Sequence, residues 1–226
     1  MAWDTERTKR LLLEAATAEF SEHGLAGARV DRIAAAAGVN KERIYQYFGK
    51  KDDLFAAVLA AQLRESMDAV TMYGEGPEAA GDYAGRLFDH HLADGVIPRL
   101  VFWEGLERAE LAAADQARAD YHRTKVERFR QMLPGIDHEG AGELLLTLVS
   151  LVNAWPVLSH LDALMVGGGT VGGDPRGDRA GADSSGGDRA GAGRAESRTA
   201  ARRAVLVRTI EVLARDAQSR TTTARA

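Results

Sequence analysis

The chain has 226 residues, 45% of them hydrophobic, with a formal net charge of -4 and no cysteine. That length buries a sizeable core in one or two domains, and the lack of cysteine excludes disulfides and thiolate metal sites while fitting a reducing cytoplasm. An acidic balance argues against a general polyanion binder. The opening MAWDTERTKR carries no apolar h-region, and no stretch approaches about eighteen uninterrupted apolar residues, so neither secretion nor membrane spanning is expected.

Helical periodicity starts at once. Helix one is expected from about Thr5 to Glu22, with Leu12, Ala16 and Phe20 in one row and Leu13 and Ala15 broadening the stripe. Arg7, Lys9 and Arg10 near its start suit a phosphate as well as a solvated face. Gly24 ends it. Helix two, Asp31 to Ala37, meets Gly38, a residue that adopts the left-handed conformation at no steric penalty. Val39 offers an apolar plug for the corner, and Asn40 is a favoured N-cap for helix three. Two short helices joined by so short a glycine-containing turn have the spacing of a helix-turn-helix DNA reader.

The third helix supports that reading. Ile44 and Phe48 form an inward stripe with Ile33 and Ala34, which leaves Lys41, Glu42, Arg43, Tyr45, Gln46 and Tyr47 outward. Four cations, Lys41, Arg43, Lys50 and Lys51, face Glu42 alone, so the basic character is local. Lys50 and Lys51 sit where a helix dipole disfavours cations, and a phosphate would account for them. Tyr47 and Lys51 are therefore assigned to phosphates, and Arg43, Tyr45 and Gln46 to base edges or nearby backbone. Glu42 either accepts from a cytosine amino group or repels wrong sequences.

Helix four is expected from Asp52 toward Met72, a connecting rod of roughly 30 Å. Tyr73 to Asp82 is rich in glycine and holds a proline, which marks a loop. Helical pattern resumes near Glu78, with segments to Ala93, from Val96 to about Leu111 and from Ala113 to Leu133. Between about Glu139 and Val166, apolar residues surround the helix instead of lining one side, so every face needs cover. Pro156 should kink it. A final helix, about Arg198 to Ala217, carries a second apolar stripe. The two helices suggest a four-helix bundle across a two-fold axis, with Leu144, Leu145, Leu148, Leu151, Val152, Val205, Leu206 and Leu213 at the dimer interface. Between them, about residues 167–195 read as a disordered Gly-rich insertion in which GDRAGA occurs at Gly177 and again at Gly187. Gly167, Gly169 and Gly172 formally satisfy G-x-G-x-x-G, but they follow a helix and not a strand, so no dinucleotide site is expected.

On Leu12, Ala15, Ala16, Phe20, Gly24, Val30, Ile33, Ala34, Ala37, Gly38, Val39, Tyr45, Tyr47, Phe48, Lys51 and Leu54, the segment resembles the DNA-binding domain of the TetR/AcrR family of bacterial transcriptional regulators. Arg29 stands where that family commonly has a threonine capping helix two, Asn40 replaces a frequent serine, and Glu42 a frequent small residue. The resemblance implies an all-α protein, with a helix-turn-helix domain over residues 1–51 joined by a long helix to an effector-binding and dimerisation domain over 52–226. It implies a cytoplasmic, ligand-responsive repressor that acts as a homodimer on a palindromic operator, with Arg29 beside the reader on the DNA-binding face. No cofactor and no membrane partner are implied.

An effector pocket is expected to draw on the larger amphipathic side chains of the second domain, Trp103, Tyr121, His122, Trp155 and His160. Each is equally a core residue in kind. His90 and Asp94 share a helix face but form too small a set for a metal, and none is expected. No G-x-S-x-G elbow, H-E-x-x-H pair or P-loop is present, so an enzyme is not expected. The alternative is a dimeric helical DNA-binding or interaction protein without small-molecule control.

Overall fold

The computed structural model describes residues 2–107, 116–166 and 185–224, and among these there is no strand. The helices are α1 (Ala2–Gly27), α2 (Val30–Ala37), α3 (Glu42–Phe48), α4 (Lys51–Ala69), α5 (Pro77–Asp94), α6 (Val96–Glu107), α7 (Gln116–Met132), α8 (His138–Met165) and α9 (Ser185–Ala224). Two apolar cores organise them. The first gathers Leu12, Phe20, Ile33, Ile44, Leu54 and Phe55, with Leu63 from α4 and Ile97 and Leu100 from α6. The second joins Tyr83, Leu87 and Phe88 of α5 to Phe129 of α7, Leu145 and Leu148 of α8, and Leu206 and Ile210 of α9. The N-terminal core thus reaches past residue 51 into α4 and α6, and the helix-turn-helix unit packs directly on the second domain.

Several boundaries move. Helix one runs on to Gly27, with a break at Gly24 (φ 68, ψ -177) where the backbone turns without ending the hydrogen-bonded run. That conformation is open essentially only to glycine. Pro77 opens α5 at its first position, five residues before the expected end of the loop, because its missing N–H has no partner to lose there. In α8 the kink falls at Leu158 (φ -108, ψ 17), just beyond Pro156. Of the Gly-rich stretch, residues 167–184, including Gly167, Gly169 and Gly172, lie outside the described residues. From Ser185 the chain is helical and continuous with α9, so the second GDRAGA copy belongs to that helix and not to a disordered insertion. Propagating an established helix requires one residue to be fixed per hydrogen bond, whereas nucleation fixes several at once.

The expected dimer interface needs correction. Leu144, Leu145, Leu148, Val152 and Leu206 are buried inside their own chain. The flanking helices α5, α7 and α9 cover this inner side of α8. Leu151 is half-buried and packs against the same core. What remains outward on α8 and α9 is Leu146, Leu158, Leu164, Met165, Val205, Val212 and Leu213, with Met165 the most open at 79% exposure. Among the described residues one helix, His138–Asp162, is long and apolar enough to cross a membrane, and it is the helix whose inner leucines fill the second core.

Candidate nucleic-acid interface

The helix-turn-helix is built by local chemistry at its corner and by distant chemistry at its start. At the corner, Gly38 takes the left-handed conformation (φ 64, ψ 31). Its N–H donates to the Ala35 carbonyl at 3.1 Å and the Val39 N–H to Ala34 at 3.0 Å, which satisfies the carbonyls left open at the end of α2. Asn40 then starts α3: its side-chain oxygen accepts the Glu42 N–H at 3.2 Å and its carbonyl the Arg43 N–H at 3.0 Å. Val39 and Phe48 pack on the first core, and Ile44 is fully buried in it.

At the start of α2, the Arg29 side chain makes no capping bond. The cap comes from α1, where a Glu19 carboxylate oxygen accepts the Arg29 N–H at 2.8 Å and the same group takes the Arg32 Nε at 2.8 and 3.1 Å. Burial pushes the Glu19 carboxyl up, but the hydrogen bond from Arg32, that from the Arg29 N–H, and the charges of Arg32 and His23 outweigh it and hold the group below its ordinary range. Arg29 is thereby freed from capping, and its side chain is exposed.

On the outer face of α3, Lys41, Glu42, Arg43, Tyr45 and Gln46 are all exposed, and Tyr47 is half-buried. They do not float independently. The Arg43 guanidinium donates to the Gln46 side-chain oxygen and to the Tyr47 hydroxyl, each at 3.2 Å, and lies 5.9 Å from the Tyr47 ring centre. Lys9 of α1 approaches the same ring at 5.9 Å. Lys41 pairs with Asp31 of α2 at 2.8 Å, a contact that raises its pKa and ties the two helices together. Lys51 is also held by its own chain. Its ammonium donates to the carbonyls of Ala28 at 3.2 Å and Ala26 at 3.5 Å, which fixes it beside the segment that joins α1 to α2.

The five residues expected to form an effector pocket are not brought together. Trp103 lies beside Ser21 and Glu22 in a cleft between α1, α6 and the α8 kink. Trp155 lines a separate groove of about 330 Å³ between α8 and α9 with Leu158, Asp162, Arg198 and Arg202. His160 and His122 are exposed, Trp103 and Trp155 are half-buried against the two cores, and Tyr121 alone of the five is buried. The polar interior consists of residues the sequence reading did not single out for this role. Ser66 of α4, His91 of α5 and Asn153 of α8 are each 3% exposed. The His91 ring joins the Ser66 hydroxyl at 3.3 Å to the Asn153 side-chain oxygen at 2.7 Å. Burial pushes His91 down to about 4, so it is neutral at physiological pH. Lys125 of α7 is 6% exposed, and burial lowers it to about 8. A signal for Lys125 existed: it is a charged residue at a core position of the stripe Tyr121, Lys125, Phe129, Met132.

Contact between the two domains is direct. The Glu107 carboxylate of α6 accepts the Ala26 N–H of α1 at 2.9 Å. A Cβ added at Gly24 would stand 2.8 Å from the Trp103 ring, so only glycine admits that ring against α1.

A family model described as bacterial regulatory proteins of the tetR family matches residues 12–58, and a tetracyclin repressor-like C-terminal domain model matches residues 80–171. The HTH-type transcriptional repressor SCO4008 of Streptomyces coelicolor is 39% identical over 172 residues, which cover 74% of this chain and 88% of that protein. Among solved structures, the transcriptional regulator SCO4942 of Streptomyces coelicolor is 29% identical with a TM-score of 0.59, over 91% of this chain and 97% of the other. The Bacillus subtilis transcriptional regulator FadR, solved in complex with stearoyl-CoA, shares the fold alone at 17% identity and a TM-score of 0.55, over 67% of this chain and 88% of that one. Helix-turn-helix geometry, helical second domain and the similarity of most of the chain to a repressor agree, and the chain belongs to the TetR family of bacterial transcriptional regulators.

Proposed function

We propose that the protein is a homodimeric, sequence-specific repressor that binds a palindromic operator in the cytoplasm and releases it when a small molecule occupies the second domain. The observation that carries the DNA reading is the outer face of α3, where Arg43, Tyr45 and Gln46 stand exposed on a helix whose start, end and inner face are all fixed. Arginine pairs with guanine O6/N7, glutamine with adenine N6/N7, and tyrosine meets a thymine methyl. Tyr47, Lys41 and Arg29 flank this face and suit phosphates, while Lys51 shares its ammonium with the end of α1. Two copies are needed because so small a basic patch on a chain of net charge -4 binds non-specific duplex weakly. The outward residues Leu146, Val205, Val212 and Leu213 supply the apolar surface for the second copy.

Control by a ligand has a route. The Glu107 and Trp103 contacts carry α6 against α1, and Ser66 near the end of α4 is hydrogen-bonded into the second domain through His91. An effector that lowers operator affinity a hundredfold must prefer the released state by about 2.7 kcal/mol. A structural neighbour of the same fold holding stearoyl-CoA is consistent with such an interior. Selection of bound fragments from random duplex DNA, repeated across candidate metabolites, tests both halves: enrichment of an inverted repeat supports the operator reading, and its loss with one metabolite supports the control. Retention of no duplex at low ionic strength overturns the first. Operator affinity indifferent to every metabolite leaves a dimeric DNA-binding protein without small-molecule control.

A further inference from the structure

Among the described residues, Lys125 has no counter-ion. It is 6% exposed on the inner face of α7, which packs against α4, α5 and α8. Among the described residues no carboxylate pairs with it. The buried acid of α6, Glu104, is committed to Arg118. His91 on α5 and His122 on its own helix feel the Lys125 charge, Ser66 on α4 and Asn153 on α8 are held by His91, and Asp94 at the end of α5 acts on His91 but forms no ion pair with Lys125. One turn before it, Tyr121 is 9% exposed and its hydroxyl is buried with no hydrogen-bond partner. The ammonium lies 5.8 Å from the centre of that ring.

These are two donor groups in one place, on side chains almost wholly withdrawn from water, and among the described residues neither is given an acceptor. An unpaired buried ammonium is destabilising by several kcal/mol, and an unpartnered hydroxyl adds to that. Folded structures satisfy nearly all such groups, so each exception asks for an explanation. Among the described residues, Glu104 is held by Arg118 and His91 by Asn153 and Ser66, so none of these supplies the missing acceptor. Beside these polar groups stands an apolar wall, since Tyr121 belongs to the core that holds Leu63, Ile97 and Leu100. What completes it is an acceptor that brings its own negative charge on an apolar body.

We propose that Lys125 and Tyr121 together form the recognition site for a carboxylate-bearing, otherwise apolar small molecule. The carboxylate takes a charge-assisted bond from the Lys125 ammonium and a second bond from the Tyr121 hydroxyl, and the apolar remainder lies against the core. This deepens the ligand-responsive reading above and rests on it for its regulatory meaning, since His91 joins the neighbourhood of Lys125 to Ser66 on α4. The binding chemistry itself does not depend on DNA.

The test uses the full chain, with sodium octanoate and benzoate as probes, octanamide and benzamide as their neutral counterparts, and sodium chloride at matched ionic strength. Melting temperature is read against probe concentration for wild type, Lys125→Met and Tyr121→Phe. Wild type should be stabilised saturably by a carboxylate and not by its amide or by chloride. Without probe, Lys125→Met should melt above wild type, because a buried unpaired charge is gone. Its affinity for the carboxylate should fall by at least about thirtyfold. A lysine with a purely structural role predicts a lower melting temperature instead. In wild type, affinity should be level from about pH 6, where the probe is ionised, to pH 8 and fall up to tenfold per pH unit above it, since only the ammonium form binds and its free pKa is about 8.

No stabilisation by either carboxylate, equal stabilisation by the amides, or an undiminished response in Lys125→Met overturns the proposal. If Lys125→Met does not fold, Tyr121→Phe decides, because unchanged carboxylate affinity in that variant is equally fatal. Operator retention is measured in parallel. Carboxylate binding that leaves operator affinity unchanged sinks the regulatory reading and spares the site. Operator binding with no carboxylate response sinks the site alone.

Discussion

The carboxylate of Glu19, in the last turns of α1, accepts the backbone N–H of Arg29 at 2.8 Å and so caps a helix to which it does not belong. Removing it leaves that N–H and the Arg32 guanidinium without their acceptor. Glu19→Ala should lower stability by about 2 kcal/mol, a fall of several degrees in melting temperature. The effect depends on pH with a definite sign. The folded-state pKa lies below the ordinary carboxylate value, so the stabilisation is present above the unfolded value of about 4.3 and is lost as pH falls through the folded one. The gap between wild type and variant, measured by urea unfolding, should be full at pH 7 and close in acid. A gap independent of pH would show that the cap is not the source.

Gly24→Ala meets two penalties at once. Its φ of 68 is unsuited to a side chain, and the new methyl would stand 2.8 Å from the Trp103 ring. A loss of roughly 2–4 kcal/mol in a denaturant titration is expected. Because the same contact joins α1 to α6, the variant should also show weaker coupling between effector and operator. A variant as stable as wild type would mean that Trp103 has room to retreat.

Lys51 and Gln46 separate two kinds of contact. Lys51→Ala should reduce binding to all duplexes alike, lower the salt slope by about one, and reduce the stability of the free protein by about 1 kcal/mol through its lost bonds to Ala28 and Ala26. Gln46→Ala should leave stability untouched and chiefly relax base preference at one operator position. Filter binding at several salt concentrations, with melting curves of the free protein, distinguishes them. Identical behaviour in both assays would remove the distinction between phosphate and base roles.

The outward and inward leucines and valines of α8 and α9 should part company. Val205, 56% exposed, faces away from its own core, whereas Leu148 is fully buried. Val205→Glu should leave a folded monomer in sedimentation velocity and a large loss of operator affinity. Leu148→Ala should cost about 3 kcal/mol of stability and leave dimerisation intact where the protein remains folded. A dimeric Val205→Glu would move the partner surface elsewhere.

Much of the reader was legible in one dimension. Gly38 ends α2 and Asn40 starts α3 through bonds that span five residues or fewer, and the alternation of Ile44 with Arg43, Tyr45 and Gln46 sorts inward from outward on a single short helix. Pro156 announced the bend of α8 because its ring acts on the turn it belongs to. Such signals work within a helical turn, which is the range over which neighbouring residues dictate each other's conformation. Tertiary structure decided the rest. Only packing brings Glu19 to the N–H of Arg29, sets Lys51 on the carbonyls of α1, and chooses which apolar residues of α8 are covered by α5, α7 and α9. Only packing leaves Lys125 without an acid among the described residues. The physical reason is the same in each case: burial and pairing depend on what arrives from elsewhere in the chain, and residues far apart in sequence leave no periodic trace of the meeting.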